Sequence, residues 1–344
     1  MKLRRIARVS FDRMAAATGL LALAESRMRG RMTILTFHRV LPDELFKDYL
    51  FPSLAVSESM FRGQMESIAR RCQVVTLEEG LQALKSGQAE GDKPMVAVTF
   101  DDGYADNVRV AAPIMNAHGV RATFFVVTGF IGTDAELWYD VAARRWQIAT
   151  LEQLAAACRA CGIDASWMKK AKPDIGHWMS FLKRLEPAQR ANVVAELADP
   201  GPLESRRHLD RLMTAEELRE LVDAGHVIGS HTMSHPLLPQ LDAASLKAEL
   251  ETSLSQLQKW LGQPVRGFSY PNGDHDDRVR QAVADAGCTH ACTTRTGRNG
   301  PEADPMRLSR IDMHPSRASG LHGEFDEPSF RASISLIHPY PWSR

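Results

Sequence analysis

Val96-Ala97-Val98-Thr99-Phe100-Asp101-Asp102-Gly103-Tyr104 decides how this chain is read. An apolar run rich in β-branched residues ends in two adjacent carboxylates and a glycine. That pattern predicts a buried strand whose C-terminal end opens into a loop. In α/β barrels, catalytic groups sit at that end of the strands. Successive strand residues point to opposite faces, but at a frayed end both carboxylates reach one site. Two ionised carboxylates side by side repel, so their roles must separate. A bound cation would separate them, with one carboxylate holding the metal and the other left as a base. The plainer alternative is a loop in which Asp101 and Asp102 cap the next helix.

Outward from this strand, the text alternates. Strands are predicted at Met32–Phe37, 74–75, 122–128, 226–230, 265–270, 289–293 and 306–313. Helical spacing falls at Glu58–Arg71, 77–86, 108–118, 214–224, 243–260 and 275–286. Thr214 with Glu217 fits a capping box. Such alternation predicts parallel strands with helical crossovers, an α/β fold. It breaks at 129–132, and 135–207 reads as helices alone, an all-α insertion. The expected organisation is an N-terminal helix over 1–31, a main domain over 32–320 with its insertion, and a patternless tail over 321–344.

Composition narrows the function classes. The 344 residues carry 42 Lys and Arg against 42 Asp and Glu, so no overall charge favours nucleic acid. Cys72, Cys158, Cys161, Cys288 and Cys292 are too few and odd in number for a disulfide framework. Cys158-Arg-Ala-Cys161 has the CxxC spacing but lies in a helical stretch with no second pair at zinc-ribbon spacing. Reduced thiols in the cytoplasm are the simplest account.

The first 31 residues carry eight Lys or Arg and two acids, a net +6. Their apolar piece, 14–24, is too short to span a bilayer and too weak for a cleaved signal. Two readings stand: a basic amphipathic helix resting on an anionic membrane surface, or a helix packed on the domain. The expected location is the cytoplasm, or the inner face of its membrane.

A second stretch, Gly229-Ser230-His231-Thr232-Met233-Ser234-His235-Pro236, also follows an apolar strand. His-x3-His places both imidazoles on one side of a single turn, a spacing found in zinc sites. A carboxylate would complete three protein ligands, and Asp102 can supply it.

Thr99-Phe100-Asp101-Asp102-Gly103 followed by His231-Thr232-Met233-Ser234-His235-Pro236 resembles the polysaccharide deacetylase superfamily, carbohydrate esterase family four. The resemblance spans about 32–134 and 208–314. It implies a distorted (β/α)7 barrel that removes N-acetyl groups from amino sugars with Zn2+ or another divalent transition metal. It implies that Asp101 is the base and that Asp102, His231 and His235 hold the metal. Phe268-Ser269-Tyr270-Pro271-Asn272-Gly273 keeps the frame of the family's third motif. Ser269 stands where that motif has the arginine that orients the base, and Arg310 is a candidate substitute. The backbone N–H near Tyr270 resembles the family's oxyanion donor. The plain alternative for 270–273 is a strand-ending turn. The family's histidine acid has two candidates at strand ends, His38 and His314. Phe37-His38-Arg39-Val40 resembles a branch with this motif permuted to the front, as in deacetylases of biofilm poly-N-acetylglucosamine, which favours His38.

The implied partner is an N-acetylated glycan or glycolipid. Competing readings are a deformylase or non-sugar amidase on the same metal, and an inactive glycan-binding module. An inactive module should have lost the base or a ligand, and this chain has all four residues.

Overall fold

The alternation closes on itself. The computed structural model describes residues 2–338 apart from 90, 169–170, 202–203 and 205–206. Seven strands form a ring: β1 (Met32–Phe37), β2 (Met95–Phe100), β3 (Ala122–Val126), β4 (Val227–Ser230), β5 (Gly267–Ser269), β6 (His290–Thr296) and β7 (Leu308–Asp312). Each pairs in parallel with the next, and β7 pairs back onto β1. With helices between most of these strands, this is a (β/α)7 barrel. It is distorted: β5 has only three residues, and the β6–β7 register shifts between Leu308 and Arg310.

The strand alternation sorts side chains between two environments. Phe37 and Phe100, on adjacent strands, pack with Phe61 of the helix Glu58–Arg71, and Phe124 stacks on Phe100 at 4.9 Å between ring centroids. Burying each such ring contributes roughly 1.5–3 kcal/mol. Their sequence neighbours Thr36 and Thr99 turn the other way and hydrogen-bond each other at 3.2 Å. The barrel therefore has an aromatic layer under its helices and a polar layer leading to the C-terminal strand ends.

Local capping explains the helix starts. Ser57, Thr76, Thr214, Asp242 and Asp276 each accept a backbone N–H with the side chain, and Thr214–Glu217 forms the predicted box. Such a cap contributes about 1 kcal/mol.

Two expectations are corrected. The segment 1–31 is not one helix but two, Lys2–Ala17 and Leu20–Ser26, broken where Gly19 takes a φ of 81°. The tail contains a helix, Glu327–Ile334, capped by Asp326 and burying Phe330, Ala332 and Ile334. It packs against the N-terminal helices, an ordering force invisible in its own eight residues. Its last predicted residues, 339–344, lie outside the described residues. The loop after β1 also contains a two-stranded parallel piece, Arg39–Leu41 beside Ala55–Ser57.

Contacts divide the chain into two units. One runs to Gly132 and resumes at Leu212; the other is Thr133–Arg211. The second is helical, with no strand among its described residues. Trp178, Leu154, Leu182 and Val193 form its buried centre, and Arg144 pairs with Asp199 on its surface.

Candidate active site

Both informative loops leave the barrel at the same end, from β2 and β4, the two strands that flank β3. Asp101 follows β2, and its N–H still donates to the Phe37 carbonyl of β1. His231 follows β4, and its N–H donates to the Val126 carbonyl of β3. The backbone then leaves regular geometry. Asp102, Thr232 and His235 take φ values of 76°, 71° and 58°, in the left-handed region that side chains disfavour. Such outliers persist where surrounding structure over-determines them, often at functional sites. Gly103 also has a positive φ, 91°, and a Cβ there would lie 2.9 Å from Val126 Cγ1. The turn needs its glycine on both counts.

The strained turns bring three ligating side chains together. His231 Nε2 lies 3.7 Å and His235 Nε2 3.6 Å from Asp102 Oδ1. These separations are too long for hydrogen bonds. Two bonds of 2.0–2.1 Å at a tetrahedral angle put ligand atoms about 3.4 Å apart, so the spacing suits a shared cation. His231 Nδ1 lies 2.7 Å from the Ser269 carbonyl oxygen, which must accept its proton. That bond leaves the Nε2 lone pair for the metal, as second-layer partners of ligating histidines do. The donor set fits a divalent transition metal.

Glu249 holds the histidine loop. Its carboxylate accepts from the Met233 and Ser234 N–H groups at 2.9 and 3.0 Å and from the Ser234 hydroxyl. It lies on the helix Ala243–Leu261 in a buried stripe with Leu246, Leu250, Ser253 and Leu257. The sequence signal for Glu249 is a carboxylate in the apolar stripe of a helix.

Asp101 is held apart from the ligand trio. Arg310 Nη1 and Nη2 donate to its two oxygens at 2.8 and 2.7 Å, a bidentate pair. Arg310 Nε donates to the Thr293 carbonyl, and Nη2 also to Ser269 Oγ. Ser269 Oγ in turn donates to Asp101 at 3.3 Å. Burial works to raise the Asp101 pKa. The Arg310 charge and hydrogen bonds outweigh it, with His231 and His38 adding to the effect, and hold the carboxyl well below its usual range. The missing motif arginine is thus supplied from β7, and the serine in its old place joins the same network.

His38 and His314 have different surroundings. The His38 charge acts on Asp101. Its loop is clamped from the strand-β2 side. Asn107 Nδ2 donates to the His38 carbonyl, and Asp106 accepts from Arg39 Nε at 2.8 Å and from the Val40 N–H at 2.7 Å. Arg39 is buried and lies over the Tyr104 ring. The groups acting on His314 are Asp312, Arg317 and Arg8, and Ser316 Oγ lies 2.8 Å from its Nδ1. Burial lowers the His314 pKa.

Tyr270 needs correction as an oxyanion donor. Its N–H donates to the Cys292 carbonyl and its hydroxyl to the Met306 carbonyl, with the side chain fully buried. Both donors are spent on the barrel, because the β5–β6 ladder continues one residue past β5. Here the plain strand-ending turn wins.

Comparisons with known proteins place the chain among deacetylases. A family model described as polysaccharide deacetylase matches residues 88–151 and 193–291. YxkH of Bacillus subtilis, a chain named for the polysaccharide deacetylases, is 21% identical over 276 residues, covering 80% of this chain and 71% of that one. Chitin deacetylase 1 of Cryptococcus neoformans is 38% identical over 78 residues, 23% of this chain and 17% of that protein. Among solved structures, the deacetylase PplD of Streptococcus pyogenes, in complex with acetate, superposes with a TM-score of 0.56 at 19% identity. That superposition covers 86% of this chain and 96% of the other, and it shows the shared fold.

Proposed function

Because the chain belongs to the polysaccharide deacetylase superfamily, we propose that it hydrolyses the N-acetyl amide of an amino sugar in a polysaccharide or lipid-linked glycan and releases acetate. The observation that carries this reading is the division between the neighbouring carboxylates. Asp102 meets His231 and His235, while Asp101 is locked by Arg310. Asp102, His231 and His235 would hold the metal, zinc or another divalent transition metal. When bound, that metal acidifies water and polarises an amide carbonyl. Asp101 takes the proton of the attacking water as general base. Arg310 and Ser269 fix its carboxylate, so no reorientation is needed when the proton arrives. His38 delivers a proton to the departing nitrogen, and the Arg39–Asp106 pair with Asn107 holds its loop in place. The water oxygen ends in acetate, and the C–N bond is replaced by N–H. The product amine is cationic at neutral pH, so the reaction changes the charge of the glycan.

The curated relatives named for polysaccharide and chitin substrates support an N-acetylated amino sugar as the substrate class. The test is acetate release from a panel of N-acetylated glycans and lipid-linked sugars, with and without chelator. Asp101→Asn should abolish release while one metal per chain remains bound. An Asp101→Asn protein with full activity would overturn the mechanism. His38→Ala should lower release by a factor of 10²–10⁴, the usual range for a general acid. His314→Ala should leave most of it.

A further inference from the structure

The N-terminal helices are amphipathic with the apolar side turned outward. Eight large hydrophobic side chains are exposed among the described residues, and five of them, Leu3, Ile6, Met14, Leu20 and Leu23, lie within the first 23 positions. Leu3 is 83% exposed and Leu23 54%. At 100° per residue, Leu3, Ile6, Ser10, Met14 and Ala17 share an arc of about 80° on the first helix. Arg8, Asp12 and Ala15 fall on the opposite side and are buried. In the second helix, Leu20 and Leu23 are exposed while Leu21 and Ala24 are buried.

The body of the protein fixes this orientation. Arg8 donates to the Ser319 carbonyl at 2.7 Å, and Arg5 to the Gly320 carbonyl at 2.8 Å. Arg13 pairs with Asp326, and the fully buried Asp12 pairs with His338 at 2.8 Å. The apolar stripe is therefore held outward by packing on its back.

We propose that this face docks on an anionic lipid surface. Charge complementarity selects that occupant. Residues 1–31 carry a net +6 in a chain that is neutral overall, so the remainder carries −6. Both acids of the segment are occupied: Asp12 is buried against His338, and Glu25 pairs with Arg331. Arg4, Arg27, Arg29 and Arg31 are exposed. A second copy of the chain would set these exposed arginines against their own counterparts across a two-fold axis, which disfavours self-association through this face. Exposed apolar side chains flanked by arginines are the composition of an interfacial helix, whose apolar side enters the headgroup boundary while cations meet anionic lipid. No helix among the described residues is long and apolar enough to cross a membrane, so this contact lies on the surface. The proposal is independent of the deacetylase reading.

The test is flotation of the full chain with vesicles of phosphatidylcholine alone, or with about a third phosphatidylglycerol. The expected result is at least tenfold more protein on the anionic vesicles, falling severalfold between 0.1 and 0.5 M salt. Leu3→Ser with Ile6→Ser and Met14→Ser should remove binding by a factor of ten or more. Ser10→Asp, at an exposed position mid-stripe, should do the same without touching any packed residue. Arg27→Gln with Arg29→Gln and Arg31→Gln should erase the preference for anionic lipid. Equal uptake by both vesicles, no uptake, or a stripe-dependent dimer by sedimentation in place of uptake would each overturn the proposal. So would Ser10→Asp binding like the parent.

Discussion

Replacing Arg310 by methionine should be among the most damaging single changes in the barrel. The guanidinium is 2% exposed and the Asp101 side chain 5%, and they share two hydrogen bonds of 2.7 and 2.8 Å. Methionine fills similar space but leaves Asp101 a buried carboxylate with the Ser269 hydroxyl at 3.3 Å as its remaining side-chain donor. Breaking one half of such a pair costs about 3–5 kcal/mol, mostly as the penalty of the stranded charge. Asp101→Asn strands the Arg310 charge and should cost a similar amount. Combining the two removes both charges, so the double variant should be less destabilised than the sum by about 3 kcal/mol, at the upper end of measured couplings. Arg310→Lys keeps the charge but cannot reproduce the planar fork. It should retain more stability than Arg310→Met, yet lose about a hundredfold in acetate release through misplacement of the base. The assay is denaturant unfolding of the parent and the four variants with chelator present, which removes metal binding from the comparison. Additive losses within about 0.5 kcal/mol would refute the claim that Arg310 exists to hold Asp101. So would an Arg310→Lys enzyme with unchanged turnover.

Three other outcomes follow from the same structure. Glu249→Gln should weaken metal binding tenfold to a hundredfold, measured by competition with a chromogenic chelator, because the histidine loop loses its carboxylate clamp. Burial lowers His226 to about 4, with Arg121 adding to the effect, and burial alone lowers His290 to about 4. Each folded pKa lies below the unfolded value near 6.5, so the stability each adds is complete above pH 6.5 and is lost as pH falls towards 4. The loss is roughly 3 kcal/mol per histidine. The unfolding midpoint should drop steeply from pH 6.5 to 4.5, and His226→Leu should flatten that drop; an unchanged slope would contradict it. Adding zinc should raise the midpoint of the parent protein, as any ligand of the native state does. It should leave the midpoint of a His231→Ala, His235→Ala variant where it was.

What was legible in the sequence was what depends on neighbours along the chain. The buried strand before Asp101 announces itself by composition, and the helix starts at Ser57, Thr76 and Thr214 by capping side chains. The helix Glu327–Ile334 was not legible, since its reason to fold is a pair of helices some 300 positions earlier. Tyr270 misled for the same reason. Its sequence context fits a donor, but a strand pairing fixed at Cys292 had already taken its N–H. Arg310 could be guessed from an absence at Ser269. Its reach to Asp101 depends on β7 closing the barrel onto β1, which no local pattern encodes.

The supports of the site share one logic. The loops after β2 and β4 are short turns strained into left-handed backbone at Asp102, Thr232 and His235, and each chemically active loop is secured by a polar group from another element. Glu249 secures the histidines, and Asp106 with Asn107 secures the loop of His38. Arg310 and Ser269 secure the base. A strained residue costs on the order of 1–3 kcal/mol, so three of them demand compensation that apolar packing at an open strand end cannot supply. Charge-assisted hydrogen bonds to backbone N–H groups can, at about 1.5–3 kcal/mol each. This explains why buried charge accumulates just behind the ligands, at Arg39, Asp106, Glu249 and Arg310. Removing Glu249 should release the histidine loop before it unfolds the barrel, so metal affinity should fail at a lower denaturant concentration than the barrel itself.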